Sequence, residues 1–191
     1  MATTQATTGC EVLLLATNSN ITINDSIFTD SNSQSNGGIH ASDSNLIAES
    51  CVFRTNIAAY NSHLRITRSV FHQAVTFIQL VYAFNTILEI ESSTFTDISM
   101  QHGFDMIYAS ECMVTVESSS FTNNTASSIM RGWNSAVLIN NSMFTNNTAR
   151  AGGVVAGNSN IIIQGSIFKG IIADYSGGVL NTVRKIHHHY Q

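Results

Sequence analysis

Apolar residues recur two apart along this chain, in bursts separated by polar connectors. The pairs are Ile21/Ile23, Leu46/Ala48, Leu64/Ile66, Leu88/Ile90, Val114/Val116, Val137/Ile139 and Ile161/Ile163. Each is followed at once by a polar residue: Asn24, Glu49, Thr67, Glu91, Glu117, Asn140 and Gln164. Between the two members stand Thr22, Ile47, Arg65, Glu89, Thr115, Leu138 and Ile162, which share no character. One uniform face and one variable face at period two predict a strand with a single buried side. Shortly after each pair comes a phenylalanine: Phe28, Phe53, Phe71, Phe95, Phe121, Phe144 and Phe168, at spacings of 25, 18, 24, 26, 23 and 24 residues. Ser26, Ser69, Ser93, Ser119, Ser142 and Ser166 stand two places before their Phe, and Cys51 takes that place before Phe53.

A second strand is expected upstream of each pair. It reads Val12–Ala16, Gly37–Ala41, Gln79–Ala83, Asp105–Ala109, Ser128–Gly132 and Gly152–Ala156, and always ends on Ala or Gly. A small residue at one fixed place implies a tight corner or a close backbone approach. Connectors such as Asn18-Ser-Asn20, Asp43-Ser-Asn45 and Asn158-Ser-Asn160 carry turn-forming side chains. The Thr-Asn-Asn-Thr-Ala runs after Phe121 and Phe144 predict a third short strand and another corner. The spacing of 18 before Phe71 predicts a copy without its corner strand, bridged from Thr55 to His63 by a tighter turn.

A unit of about 24 residues, copied with its columns intact, is the signature of stacked repeats. The predicted fold is all-β: a right-handed, single-stranded parallel β-helix of about seven rungs. Each strand pairs with its counterpart one rung on, about 4.8 Å away, and the anchors form an internal stack in a rod about 30–35 Å long. An antiparallel sandwich also has short, evenly spaced strands, but it does not require residue-for-residue columns. The absence of proline fits continuous ladders.

Charge and composition narrow the function classes. Only 10% of the 191 residues are charged and the net charge is −4, with no basic stripe, which argues against nucleic acid. The most apolar run, Ala74 to Phe84, is too short to span a bilayer, and no other stretch is long enough for a membrane helix. Met1 to Thr8 carries no basic residue and Val12 to Ala16 is too short for a secretion core, so no signal peptide is read. The chain reads as a single β-helix domain over residues 1–191, with 1–10 and 184–191 as poorly structured ends. Neither end reads as capped, so neighbouring repeats of a longer chain are expected as partners, and the bare chain is expected to self-associate.

Five acceptor sequons, at Asn20, Asn24, Asn123, Asn140 and Asn146, are candidates for N-glycosylation. Cys51, in the serine column, reads as a small buried residue, and Cys10 and Cys112 fall in different copies. No metal spacing exists among the cysteines, and His187–His189 reads as a solvated tail rather than a metal site.

Parallel β-helices also carry polysaccharide lyases and hydrolases, whose chemistry needs several acids and a cation converging on an outer face. Asp25, Asp30, Asp43, Asp97, Asp105, Glu111 and Asp174 fall at turns or strand ends. Glu89 and Glu91 face outward on one strand, with Glu117 expected beside Glu91 and Arg65 beside Glu89. These four residues are the catalytic alternative. The plainer reading is a solvated face, with no enzymatic activity and no cofactor.

The Phe-x-x-Asn followed by Gly-Gly-[Ile/Val] resembles the repeat of the chlamydial polymorphic outer membrane proteins and related eukaryotic surface proteins. The best copies are Phe144-Thr-Asn-Asn147 leading to Gly152-Gly-Val154, and Phe28 leading to Gly37-Gly-Ile39. Phe168 leads to Gly177-Gly-Val179 with Ile171 in place of Asn, and Phe71 and Phe95 lack both halves. The family's C-terminal membrane barrel has no counterpart in these residues. The resemblance implies an extracellular or cell-surface location, an adhesin-like role, and a cell-surface protein or glycan as partner.

Overall fold

The structure is a computed structural model that describes residues 3–4, 13–28, 38–76, 78–175 and 178–183. The chain winds as a three-sided coil, and each side of every turn adds a strand to one of three sheets. Sheet A carries the anchors: Thr3–Thr4, Ile27–Phe28, Val52–Phe53, Val70–His72, Thr94–Thr96, Ser120–Thr122, Met143–Thr145 and Ile167–Lys169. Sheet B runs through Leu14–Thr17, Gly38–Ser42, Asn56–Tyr60, Val81–Phe84, Ile107–Ser110, Thr125–Trp133, Thr148–Gly157 and Leu180–Val183, with Val75–Thr76 and Ser99–Met100 as short side pieces. Sheet C holds the apolar pairs: Asn20–Asn24, Asn45–Glu49, His63–Thr67, Ile87–Glu91, Met113–Glu117, Ala136–Asn140 and Asn160–Gln164.

Every strand pairing among the described residues is parallel, and like pairs with like. Leu88 faces Val114, which faces Val137, which faces Ile161. This excludes the antiparallel sandwich and makes the chain a parallel β-solenoid. The seven anchor rings stack in one column, with centroids 5.2, 4.7, 4.5, 4.7, 4.5 and 4.6 Å apart from Phe28 to Phe168. Phe53, Phe71, Phe95, Phe121 and Phe144 are fully buried. Such offset stacking adds to the area each ring removes from water.

Each B–C and C–A corner among the described residues turns on one residue in the left-handed region. Between sheets B and C these are Asn18, Asp43, Asn61, Asn85, Glu111, Asn134 and Asn158, with φ between 48° and 59°. Between C and A they are Asp25, Ser50, Arg68, Ser92, Ser118, Asn141 and Gly165. Asn and Asp tolerate this conformation best after Gly, which is why the B–C corner is so rich in Asn.

A left-handed corner interrupts the backbone ladder, and a buried side chain repairs it. Ser69, Ser93 and Ser119 each donate Oγ–H to the carbonyl two residues back, at 2.9, 2.8 and 2.8 Å. The same oxygens accept the N–H of Cys51, Ser69 and Ser93 from the preceding coil, each at 3.1 Å. A second ladder of this kind, unread in the sequence, runs through Ser19, Ser44, Ser62, Thr86, Cys112, Ser135 and Ser159 at the B–C corner. A third uses carboxamides: Asn124 and Asn147 donate to the carbonyls of Phe95 and Phe121 and accept from the N–H groups of Ile98 and Asn124. The Asn of Phe-x-x-Asn is therefore an interior corner brace.

One expectation needs correction. The copy before Phe71 does not lack its corner strand: Asn56–Tyr60 pairs on both sides, and Ala59 takes the small-residue place. What is missing is the short piece that other coils insert first, such as Val75–Thr76. The backbone of Asn56 therefore closes on the coil before it, and a Cβ at Gly38 would overlap the Asn56 carbonyl. Glycine is required there by close approach. The small column at the end of each sheet B strand has a different cause. A Cβ at Gly132 would lie 2.9 Å from Val137 Cγ2, too close unless Val137 shifts, while Ala41, Ala59, Ala83, Ala109 and Ala156 fill the same place in other coils, so the B–C corner takes a methyl at most. Val12, Gly37 and Gly177 lie outside the described residues, as do Cys10, Asp30, His187–His189 and most of 1–10 and 184–191.

Candidate functional site

Sheet C brings the four sequence-selected residues together. Glu89 pairs in register with Arg65, and Glu91 with Glu117. Arg65 lies 3.7 Å from Glu89 Oε2 through Nε and 3.0 Å from Glu91 Oε2 through a terminal nitrogen. His63, which sequence reasoning passed over, places Nε2 3.3 Å from Glu89 Oε2. Asn140 donates to Glu117 Oε1 at 3.5 Å. Arg68 pairs with Glu49 on the same face. Each carboxylate thus already faces a cation or an amide. The side chains of Arg65, Glu89 and Glu91 are 46%, 38% and 47% exposed. Ion pairs this open to water contribute about 0–1 kcal/mol each.

Asp105 lies two residues before the strand Ile107–Ser110, at a strand end as expected, but it is not solvated. It is 8% exposed, accepts a 2.5 Å hydrogen bond from the Ser128 hydroxyl, and lies 2.8 Å from Arg131 Nε. Ser128 is fully buried. The network pins the segment where Gln101–Gly103 makes an extra turn, in the coil with the spacing of 26. Its partners satisfy a buried charge, and no reacting group is exposed by it.

The outer face of sheet B concentrates aromatic residues. Tyr60, Tyr82, Phe84, Tyr108 and Trp133 all point outward there, half-buried or exposed. His40, Tyr60, Tyr82 and Tyr108 form a continuous outer row, with centroids 5.0, 5.3 and 5.6 Å apart; His40–Tyr60 and Tyr82–Tyr108 are stacked and Tyr60–Tyr82 is tilted by 41°. Trp133, the only tryptophan, is 36% exposed. In register it is flanked by Ser110 and Gly157. Its indole covers the place a side chain at 157 would take, so Gly157 is required by that approach. Beside it at the corner, Asn158 Nδ2 donates to Asn134 Oδ1 at 2.7 Å. Burial raises the Tyr82 phenol above its ordinary range, helped by Tyr60 and Tyr108 on either side. The sequence signal for this face was the recurrence of Tyr next to the small-residue column in three consecutive coils.

The remaining candidates are placed as follows. Asn20, Asn24, Asn123 and Asn146 are exposed and Asn140 is half-exposed, so each sequon asparagine reaches the surface. Asn123 donates to Asp97 Oδ1 at 3.3 Å, and the hydroxyls of Ser26 and Ser142 belong to the buried ladder. Cys51 and Cys112 are buried free thiols in the two serine ladders. Burial pushes both thiols up, partly offset by backbone N–H groups directed at sulfur. Among the described residues no cluster of His, Cys, Asp and Glu could hold a metal ion, and no helix is long and apolar enough to cross a membrane.

No family model and no curated protein matches the chain. Among solved structures it is similar to a trypsin-treated variant of QnrB1, a plasmid-mediated fluoroquinolone resistance protein. That likeness has 11% identity and a TM-score of 0.27, and covers 81% of this chain and 91% of that one.

Proposed function

We propose that this chain is a non-enzymatic scaffold that presents an extended contact surface at the cell exterior, in the manner of an adhesin. The observation that carries the reading is the outer face of sheet B, where aromatic side chains from successive coils line up half-exposed. Aromatic residues on an exposed flat face favour contact, since they bury much area at little cost in conformational entropy. The acids of sheet C, by contrast, are engaged with Arg65, His63 and Asn140. The resemblance of Phe144 to Val154 to the polymorphic outer membrane protein repeat supports the exterior location, and so do five sequon asparagines at the surface. The partner on this reading is a cell-surface protein or glycan, with neighbouring repeats of a longer chain extending the rod.

The test is a printed array of matrix proteins and glycans, probed with beads bearing the folded chain and with beads bearing the heat-unfolded chain. Selective retention of the folded form is expected. The same glycans, incubated with the chain and assayed for new reducing ends and unsaturated products, should show no turnover. Cleavage that disappears in Glu91→Gln/Glu117→Gln would replace this reading with the carbohydrate-active one, and an array that retains nothing would remove it.

A further inference from the structure

We infer that the outer face of sheet B is a binding platform for a linear, neutral polysaccharide laid along the solenoid axis, with Trp133 as its stacking residue. The inference rests on the contact-surface reading and names the face and the chemistry. Tyr82 and Tyr108 stack ring on ring and Tyr60 leans on Tyr82 at 41°, so these rings largely cover one another and offer mainly edges and phenol hydroxyls to a ligand. Trp133 is the exception. Ser110 and Gly157 flank it in register, no ring is stacked on it among the described residues, and a third of it is open. An indole in that state suits the apolar C–H face of a sugar ring, while the tyrosine hydroxyls and the corner amides of Asn134 and Asn158 suit its hydroxyls.

Two features select the ligand. From Tyr60 through Tyr82 and Tyr108 to Trp133 each coil contributes an aromatic side chain, in one or the other of two adjacent columns, at a rise of about 4.8 Å per coil, close to the length of one hexose in an extended chain, so a periodic ligand laid along the axis meets one ring per step. Sheet B carries two arginines, an exposed Arg150 at one end of its strand and Arg131 within the aromatic columns. Arg131, which follows Tyr108 in the column, is occupied by Asp105 at 2.8 Å. A neutral chain complements aromatic columns whose arginine, Arg131, is already paired, whereas a polyanion would meet a protein of net charge −4.

The single tryptophan makes the test direct. Titration of the full chain with soluble mixed-linkage β-glucan, galactomannan, xylan and, as the anionic control, polygalacturonate is followed by intrinsic emission and by affinity electrophoresis. At least one neutral chain is expected to shift Trp133 emission and retard the protein, and polygalacturonate to do neither. Trp133→Ala and Tyr108→Ala should each weaken retardation at least tenfold, and Trp133→Phe by less. Outward positions leave the interior stack intact, so far-ultraviolet circular dichroism should match the parent. Should Trp133→Ala misfold, Tyr108→Ala and Trp133→Phe carry the test. Retention of neutral glycan unchanged by these variants would overturn the inference, as would binding of polygalacturonate alone or silence across the panel. Beads held only by protein spots on the array would also overturn it and leave the contact-surface reading standing.

Discussion

Phe121 sits between Phe95 and Phe144 with rings 4.7 and 4.5 Å away and no exposure. Phe121→Ala would leave a cavity bordered by two rings that cannot both collapse into it. A loss of about 3–5 kcal/mol is expected in urea unfolding, and a loss below about 1 kcal/mol would mean the column does not carry the core. The buried thiols make a subtler prediction. Cys51 and Cys112 occupy ladder sites where other coils use Ser or Thr, so Cys51→Ser and Cys112→Ser should fold normally. Burial raises both thiols, so the folded chain keeps protons that the unfolded chain releases. Stability should therefore fall as pH rises above the unfolded thiol value of about 8.5, towards the raised folded values. The double serine variant should lose that part of the alkaline decline, which denaturation at pH 7 and pH 10 would measure. Native thiols should also resist a disulfide reagent until the chain opens.

At the scale of strands and corners, the geometry explains what the sequence showed and hid. The sheet C strands were legible because one face is buried and period two is hard to imitate. The serine column before each Phe was legible because Phe marks its place. The equivalent column at the B–C corner was hidden among exposed Asn and Ser that share its chemistry, and only the coil geometry separates Ser19 from Asn18. Asp105 was placed correctly between elements, but its burial was hidden because its coil is longer than the repeat and its partners Ser128 and Arg131 lie in the next coil. The acid cluster was placed correctly in register, but its satisfaction by His63 and Asn140 needed side-chain directions. At the corners, Asn61 holds φ at 49°, donates Nδ2–H to Asp43 Oδ1 and accepts at Oδ1 from Asn85 Nδ2. Asn61→Gly should cost little, while Asn61→Val should cost about 1–2 kcal/mol, the penalty of a left-handed conformation for a branched side chain. Equal destabilisation by both in urea unfolding would place the effect in the amide ladder instead.

At the scale of the whole molecule, each coil contacts only its neighbours, so stability accumulates along the axis and the outer faces are free to vary. That freedom lets sheet B carry aromatic rings, sheet C charges and sheet A hydroxyls, while the interior columns stay uniform. The outer contact surfaces depend on this one arrangement: like places stacked in successive coils along one axis. The outward column of sheet C samples it, since Thr22, Glu89, Thr115, Leu138 and Ile162 occupy the same place in different coils. With the native cysteines replaced by serine, spin labels at position 22 and at each of the other four in turn measure the rise by pulsed electron resonance. Backbone separations of about 14, 19, 24 and 29 Å are expected, increasing by one strand spacing per coil. Distances that fail to increase in chain order, or that return towards position 22, would contradict the solenoid and every surface assigned on it.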